Sequence, residues 1–330
     1  MKKKKSIDFG NYYNLIKNRR AFVCGLKGLN ITNKEFNFLK KYRPWGIILF
    51  SRNIKNLKQV QKLTKKIKSI FKDKNYPILI DEEGGRVSRL KNIIDNSDLT
   101  ASYFGKIYGK SKRNFNLYIS VYIEQISKIL NLIGVNINSV PVLDVFRKKS
   151  HKVIGDRAYS GNPKNVSLIG DIVISKFHNN GINTIIKHIP GHGLAKSDSH
   201  VKLPVISKKI TYLRQNDFYP FKNKKSYLAM TAHVLFKLID KDHPVTHSKI
   251  LINIIRNKIG FKNLVITDDI SMKSLRYDIK LNTKMAFNAG CNLVLHCNGN
   301  MTEMLKVAQN SPYLSKFIIK KTSQMVKKLS

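Results

Sequence analysis

Three of the nine histidines in this chain fall within residues 187–200, KHIPGHGLAKSDSH. Imidazoles are common metal ligands, so His188, His192 and His200 could together hold a metal ion. However, Pro190 and the neighbouring glycines exclude a helix that presents two of these imidazoles on one face. A metal site, a proton-transfer site and a polar loop without chemistry are the three interpretations of this stretch.

The end of the same stretch favours proton transfer. Asp198 and His200 are separated by a single residue. A carboxylate beside an imidazole fixes its tautomer and stabilises the imidazolium, which makes the histidine a competent acid and base. His192 is interpreted as a structural residue.

Two further stretches carry acidic side chains that could act on a ligand. In ILIDEEGGRVSRL, residues 78–90, Asp81 could accept hydrogen bonds from ligand hydroxyls and Arg89 could donate to ligand oxygens. An internal network of salt bridges is an equally good interpretation of that stretch. In VITDDISM, Asp268 and Asp269 point to opposite sides of an extended chain, so one can face a site while the other braces the backbone. A carboxylate in that position could be a nucleophile.

Short apolar, β-branched runs recur along the chain and predict buried parallel strands. The runs are AFVCGL (21–26), WGIILF (45–50), PILID (77–81), VNINSVPVLD (135–144), INTIIKH (182–188), YLAMTAH (227–233), LVITDD (264–269) and NLVLHC (292–297). The segments between them have helical character, such as 56–71 and the segment that ends at Asn180-Gly181. Eight strand–helix units predict a single (β/α)8 TIM-type barrel of the α/β class. A doubly wound open sheet is the competing topology.

Polar residues gather at the predicted strand ends, where barrels build their active sites. They are Asp81, Glu82, Glu83, Asp144, Lys187, His188, His233, Asp268 and Asp269. The alternative role for the acids is helix N-capping, which accounts less well for the histidines and for the triple acid.

Composition limits the remaining classes of function. The 330 residues carry 61 Lys and Arg against 20 Asp and Glu, a formal charge of +41. The basic residues are spread along the chain, so we expect weak non-specific polyanion binding and no specific nucleic-acid site. The three cysteines lack ligand spacing and are expected to be buried thiols of a reducing cytoplasm. We expect one domain over 1–330 with a basic tail over 1–15, no membrane segment, and a monomer.

The stretches DEEGGRVSRL, KHIPGHGLAKSDSH and LVITDDISM together resemble the signature stretches of family 3 glycoside hydrolases. Within that family they are most similar to the single-domain bacterial β-N-acetylhexosaminidases of cell-wall recycling. GIILFSRN, VPVLDV, GDRAYSGNP and MTAHVLF match in the family's order as well. The resemblance covers roughly residues 20–300 and implies a barrel fold.

The resemblance also implies roles for individual residues. Asp268 matches the nucleophile of a retaining double displacement, and His200 with Asp198 matches an acid/base dyad. The sugar-binding positions match Asp81, Arg89, Arg157, Lys187 and His188. This mechanism needs no metal and no cofactor.

The substrate implied is a small carbohydrate, a muropeptide fragment from which terminal N-acetylglucosamine is removed. A β-glucosidase of the same family is one alternative. A metal-dependent hydrolase that uses His188, His192 and His200 is a second, and a non-enzymatic polyanion-binding protein is a third. Glu82, Ala158 and Ile189 stand where relatives usually carry Gln, Ser and Phe. The glycines around His192 permit a hinge, so we expect the loop that carries His200 to move.

Overall fold

The computed structural model of the protein describes residues 9–148, 151–199 and 201–329. The strands are β1 (Arg20–Gly25), β2 (Pro44–Leu49), β3 (Ile78–Ile80), β4 (Ile137–Asn138), β5 (Asn183–Ile189), β6 (Val205–Ile206), β7 (Leu228–Thr231), β8 (Leu235–Phe236), β9 (Leu264–Asp269) and β10 (Leu293–His296). Eight of them form a closed parallel barrel in the order β1-β10-β9-β7-β5-β4-β3-β2. The predicted (β/α)8 barrel is confirmed, and the open-sheet alternative is wrong because β1 pairs with both β2 and β10.

Helices follow the strands and cover the outside of the barrel. They are α1 (Phe9–Ile16), α2 (Asn33–Tyr42), α3 (Leu57–Phe71), α4 (Ala101–Lys110), α5 (Lys112–Leu132), α6 (Pro163–Asn179), α7 (Ile210–Gln215), α8 (Lys249–Ile254), α9 (Ile279–Ala289), α10 (Met301–Asn310) and α11 (Lys316–Leu329). Short helical turns occur at Ser51–Asn53, Gly155–Arg157, Tyr219–Phe221, Val245–His247 and Ile255–Ile259. Both predicted helices, 56–71 and the one that stops before Gly181, are present as α3 and α6.

The two faces of each barrel strand are buried against different partners. In β1, Val23 packs with Trp45 and Leu79 in the cluster that fills the barrel interior. The alternate residues of the same strand, Phe22 and Cys24, pack in the larger cluster that joins the strands to the helices. Because side chains alternate along a strand, both sets must be apolar, which explains the continuous apolar runs in the sequence.

A second, two-stranded sheet lies outside the barrel. Val205 and Ile206 of β6 pair in parallel with Leu235 and Phe236 of β8. The first strand follows the 187–199 stretch and the second belongs to the loop after β7. This sheet therefore ties the two loops together at the C-terminal rim.

The acids at the strand ends do not cap helices. Among the described helices, the side chains that cap N-termini include Thr32, Asn56, Asn162 and Asp278. Asp81, Asp144 and Asp268 have other partners, given below. The capping interpretation of these three acids is therefore wrong.

The N-terminus differs from the expected tail. Residues 1–8 lie outside the described residues, but α1 already begins at Phe9. Tyr12 and Ile16 are buried in the cluster that also contains Met325 of α11. This apolar face binds the segment to the bottom of the barrel instead of leaving it in solvent. Within the ranges described, no helix combines the length and the apolar character needed to cross a bilayer.

Candidate active site

A cavity of about 230 Å³ opens at the C-terminal rim of the barrel. Every predicted site residue that the structure describes lines it: Asp81, Arg89, Arg157, Lys187, His188, Asp198 and Asp268. His200 lies outside the described residues. Side chains from loops far apart in the sequence meet here because all parallel strands end at the same rim.

Asp268 occupies the penultimate position of β9 and is held by the backbone. Its Oδ1 accepts a hydrogen bond of 2.7 Å from the N–H of Asp269, and its Oδ2 lies 3.9 Å from Nε2 of His188. Burial alone would raise the pKa of Asp268. The neighbouring His233 and His188, together with that N–H, outweigh burial and hold its pKa below the ordinary value of 3.8. The carboxylate is therefore ionised at neutral pH, which a nucleophile requires.

The second acid of the pair, Asp269, braces the strand end. Its Oδ1 accepts hydrogen bonds from the backbone N–H groups of Ser271 and Cys297. Its carbonyl oxygen accepts one of 3.0 Å from Nε2 of His233, which is fully buried. The two acids therefore divide the roles of facing the cavity and holding the backbone.

An ion-pair network forms the wall opposite β9. Nζ of Lys187 lies 2.9 Å from Asp81 and 2.6 Å from Glu83. Glu83 also accepts two hydrogen bonds, of 2.7 and 2.9 Å, from the guanidinium of Arg157. Arg89 lies 3.8 Å from Asp81. The internal-network interpretation and the ligand-binding interpretation are compatible, because this network lines the cavity.

Charge pairing keeps Glu83 and Lys187 of this network ionised. Burial would raise the pKa of Glu83, but Arg157 and Lys187 lower it far below the ordinary value. Burial would lower the pKa of Lys187, but Asp81 and Glu83 raise it. Breaking one pair would leave an uncompensated charge in a buried position, which is strongly unfavourable.

His188 is oriented from beneath by Asp144. Oδ2 of Asp144 lies 2.7 Å from Nδ1 of His188, and the backbone N–H of His192 donates to Oδ1 at 2.7 Å. Burial would raise the pKa of Asp144, but His188 and His192 lower it. Because Asp144 accepts from Nδ1–H, Nε2 of His188 faces the Asp268 side of the cavity with a defined tautomer.

The first half of the 187–199 stretch is packed tightly. A Cβ on Gly193 would approach the carbonyl oxygen of Val145 to 2.1 Å, and one on Gly191, where φ is 139°, would approach Asp217 to 2.9 Å. His192 is buried, and its Nε2 lies 3.3 Å from Oγ of Ser199. The glycines thus allow a close backbone approach here, and the interpretation of His192 as a buried structural residue agrees with this packing.

Residues 14–329 match the glycosyl hydrolase family 3 N-terminal domain. The chain belongs to glycosyl hydrolase family 3. It is therefore a glycoside hydrolase, and the resemblance noted in the sequence is confirmed.

Relatives with the name beta-hexosaminidase are similar to most of this chain. A protein of Nitrosomonas eutropha called beta-hexosaminidase is 33% identical over 284 residues, which is 84% of this chain and 80% of its own length. One of Neisseria meningitidis with the same name is 31% identical over 85% of this chain and 78% of its own length.

Family 3 structures superpose closely as well. Native NagZ from Neisseria gonorrhoeae has a TM-score of 0.84 at 26% identity, with 94% of this chain and 90% of that chain covered. A family 3 β-N-acetylglucosaminidase from a Paenibacillus strain has a TM-score of 0.82 at 25% identity, with 94% of this chain and 60% of that chain covered.

Glu82 follows Asp81 but does not join the ion-pair network. Its side chain turns away from the network and accepts hydrogen bonds from the N–H groups of Arg89 and Leu90 and from Asn96. Burial raises the pKa of Glu82, and these donors oppose the effect. Glu82 therefore holds the loop after β3.

Sequence reasoning about this family 3 site missed three residues that the structure places in it or beneath it. Glu83, Asp144 and His233 were noted only as strand-end polar groups. Their position after a strand was the available signal. Their partners, Arg157, His188 and the Asp269 carbonyl, come from other loops and could not be read from spacing.

Proposed function

We propose that the protein is a retaining, exo-acting β-N-acetylglucosaminidase. The observation that supports this most directly is Asp268, an ionised carboxylate held at the strand end inside a cavity of about 230 Å³. A cavity of this size is smaller than the usual range for larger ligands and suits one terminal sugar ring. The family 3 relatives called beta-hexosaminidase support an acetamido sugar at that position.

The reaction is a double displacement. Asp268 attacks the anomeric carbon while the bond to the leaving oxygen breaks, and His200 gives its proton to that oxygen. His200, now neutral, removes a proton from water, and the resulting hydroxide displaces Asp268 from the anomeric carbon. The two groups thus return to their starting protonation states. Asp198 orients the imidazole and stabilises it when it is charged.

The ion-pair wall binds the sugar. Asp81 accepts hydrogen bonds from sugar hydroxyls, while Lys187, Arg89 and Arg157 donate to sugar oxygens. His188 presents Nε2 to the same ring, with its tautomer set by Asp144. Because these side chains already pair with one another, the site is organised before the sugar arrives, which favours binding.

The natural substrate in this proposal is a cytoplasmic muropeptide fragment whose terminal N-acetylglucosamine is β-linked to a muramoyl residue. Cys24 and Cys291 support a reducing compartment, because both are buried free thiols. Burial raises the pKa of the Cys291 thiol to about 12, so this thiol is unreactive.

The test is the release of nitrophenol from 4-nitrophenyl β-N-acetylglucosaminide by wild type and by Asp268→Ala, both in the presence of a chelator. Cleavage by wild type and none by the variant supports the proposal. Activity that the chelator abolishes would favour the metal-dependent alternative. If folded wild type cleaves no glycoside, and if wild type and Asp268→Ala bind a polyanion equally well, the polyanion-binding alternative is favoured.

A further inference from the structure

One side of the catalytic cavity is formed by residues 152–156, a segment of the loop after β4. Val153 and Ile154 of this segment line the cavity and are 8% and 4% exposed. Together with Ala158 they form a small apolar cluster that is separate from the barrel interior and from the core between strands and helices. Packing on the barrel therefore does not fix this side of the cavity, and polar contacts have that task.

Arg86, on the loop after β3, supplies these polar contacts. Its Nε donates a hydrogen bond of 2.8 Å to Oδ1 of Asp156. Its Nη2 lies 2.9, 2.6 and 3.3 Å from the carbonyl oxygens of Lys152, Val153 and Ile154. One guanidinium thus joins both ends of the 152–156 segment, because its planar fork presents donors in more than one direction.

The turn that carries Arg86 is itself fixed at Gly84 and Gly85. The φ angles of these glycines are 82° and 60°, in the left-handed region that glycine adopts without strain. A Cβ on Gly84 would collide with the carbonyl oxygen of Leu99, and one on Gly85 would collide with the side chain of Thr100. The turn is therefore packed closely against its neighbours, and Arg86 extends from a fixed point.

The contact between Arg86 and Asp156 lies at the surface. The two side chains are 46% and 42% exposed, and an exposed ion pair contributes little to global stability. Arg157, the next residue along the chain, has its own two hydrogen bonds to Glu83. Loss of Arg86 should therefore release the 152–156 segment without unfolding the barrel and without removing Arg157 from the site.

We propose that Arg86 is a positioning residue of the sugar site, which fastens the 152–156 segment so that Val153 and Ile154 form one side of the cavity. This inference rests on the proposed function, in which the cavity holds one sugar ring. Arg86 also lines the cavity, but its hydrogen bonds are directed to the segment. A segment that is fastened before the sugar arrives needs no ordering on binding, which favours affinity.

The first test measures kcat and KM for 4-nitrophenyl β-N-acetylglucosaminide with Arg86→Ala. KM should rise about tenfold, the size expected for loss of one charge-assisted hydrogen-bonded contact. The kcat should change little, because this side of the cavity contacts the sugar equally in the ground state and in the transition state. A fall in kcat with an unchanged KM would overturn the proposal.

Lys152→Ala is the matched control for charge. Lys152 is an exposed cation of the same segment, and its carbonyl oxygen still accepts from Arg86 when the side chain is shortened. This variant should have the KM of wild type. A rise in KM equal to that of Arg86→Ala would mean that positive charge at the rim, and not the fastening, controls binding, and would overturn the proposal.

Asp156→Ala separates positioning from direct contact with the sugar. Asp156 lies outside the described lining of the catalytic cavity, so it acts on the sugar only through the segment. Asp156→Ala should raise KM, and the double variant with Arg86→Ala should resemble Arg86→Ala alone, because both remove the same fastening. A wild-type KM for Asp156→Ala, or additive effects in the double variant, would assign Arg86 to the sugar itself and overturn the positioning role.

Hydrogen exchange tests the fastening without any cleavage. The N–H groups of Arg157 and Ala158 donate to carbonyl oxygens of Ile154 and Gly155, so release of the segment should expose them. In Arg86→Ala, mass spectrometry should show faster exchange in a peptide that spans residues 151–158, with unchanged exchange in α6 and an unchanged melting temperature. This result supports the fastening even if the nitrophenyl glycoside is not cleaved. Unchanged exchange, or faster exchange throughout the barrel, overturns it even if the proposed function holds.

Discussion

The strand end that carries Asp268 and the stretch that leads to His200 hold their functional groups in opposite ways. Asp268 belongs to β9, which pairs with β7 on one side and β10 on the other. The neighbouring Asp269 fixes the same strand end through Ser271 and Cys297. Asp198, in contrast, lies in a loop, beyond the buried segment 189–195 and on the way to the exposed Val201.

This difference corresponds to the two tasks in the proposed mechanism. A nucleophile must stand at one place relative to the anomeric carbon, and a strand of a closed barrel provides that precision. An acid/base must serve first the leaving oxygen and then the incoming water, so a loop that adjusts its position is suitable. The glycines lie in the packed segment, so we expect any movement to begin after Ala195, and not at Gly191 or Gly193.

The largest expected effect is at the C-terminal end of β9, which carries Asp268. Asp268→Asn should lower kcat by about 10⁴-fold or more, because removing a covalent nucleophile leaves only binding and electrostatic contributions. The melting temperature should change little. Asp269→Asn is the control: it should lower the melting temperature while retaining more activity. Equal kcat for the two variants would contradict the division of roles between these acids.

At the loop, His200→Ala should lower kcat on chitobiose by about 10²–10⁴-fold, the range for loss of general acid–base catalysis. The loss on the first step with a nitrophenyl leaving group should be much smaller, because nitrophenolate departs without a proton. Lys202→Ala, an exposed neighbour, should behave as wild type. The measurement is the rate of cleavage of chitobiose and of the nitrophenyl glycoside by each variant. An equal decrease in rate for both leaving groups would argue against His200 as the acid.

The ion-pair wall is expected to matter for stability as well as binding. Lys187→Met should lower the free energy of unfolding by about 3–5 kcal/mol, because Asp81 and Glu83 would lose a buried partner. Lys224→Met is a matched control: Lys224 is also buried, but its partner Asp171 is half exposed and stays solvated. Denaturant unfolding of both variants gives the two free energies of unfolding. A similar decrease in both would contradict the prediction that the ion-pair wall stabilises the fold more than the Lys224–Asp171 pair does.

The smallest effect concerns the packed segment of the loop. Burial raises the pKa of Asp217, beneath Gly191, to about 6 from 3.8. The folded state therefore binds more protons than the unfolded state between these values, so stability falls as pH rises from about 3.8 to about 6 and then stays at the lower level. Asp217→Asn should remove this loss, with a gain near pH 8 of about 2 kcal/mol relative to its effect near pH 4. Melting curves at several pH values, with no pH-dependent difference from wild type, would contradict the assignment.

Much of the barrel could be predicted because buried parallel strands need apolar residues on both faces, and each of the eight predicted runs overlaps a barrel strand. The run 135–144 contributes only Ile137–Asn138, since Pro141 has no N–H to give to a ladder. The pairing of β6 with β8 depends on how two loops fold over the rim, which no local pattern records. The position of Asp81 and Asp268 at predicted strand ends indicated that they belong to the site. The Lys187–Glu83 and His188–Asp144 pairs could not be predicted in this way, because each joins residues that only the closed barrel brings together.

The most direct test of the central claim is the anomeric configuration of the sugar when it is first released. Proton nuclear magnetic resonance of 4-nitrophenyl β-N-acetylglucosaminide cleavage at early times distinguishes the two anomers of the one released sugar before mutarotation. A double displacement through Asp268 predicts that the β-anomer of N-acetylglucosamine appears first. Initial appearance of the α-anomer would mean that water attacks directly, and Asp268 would then not be a covalent nucleophile.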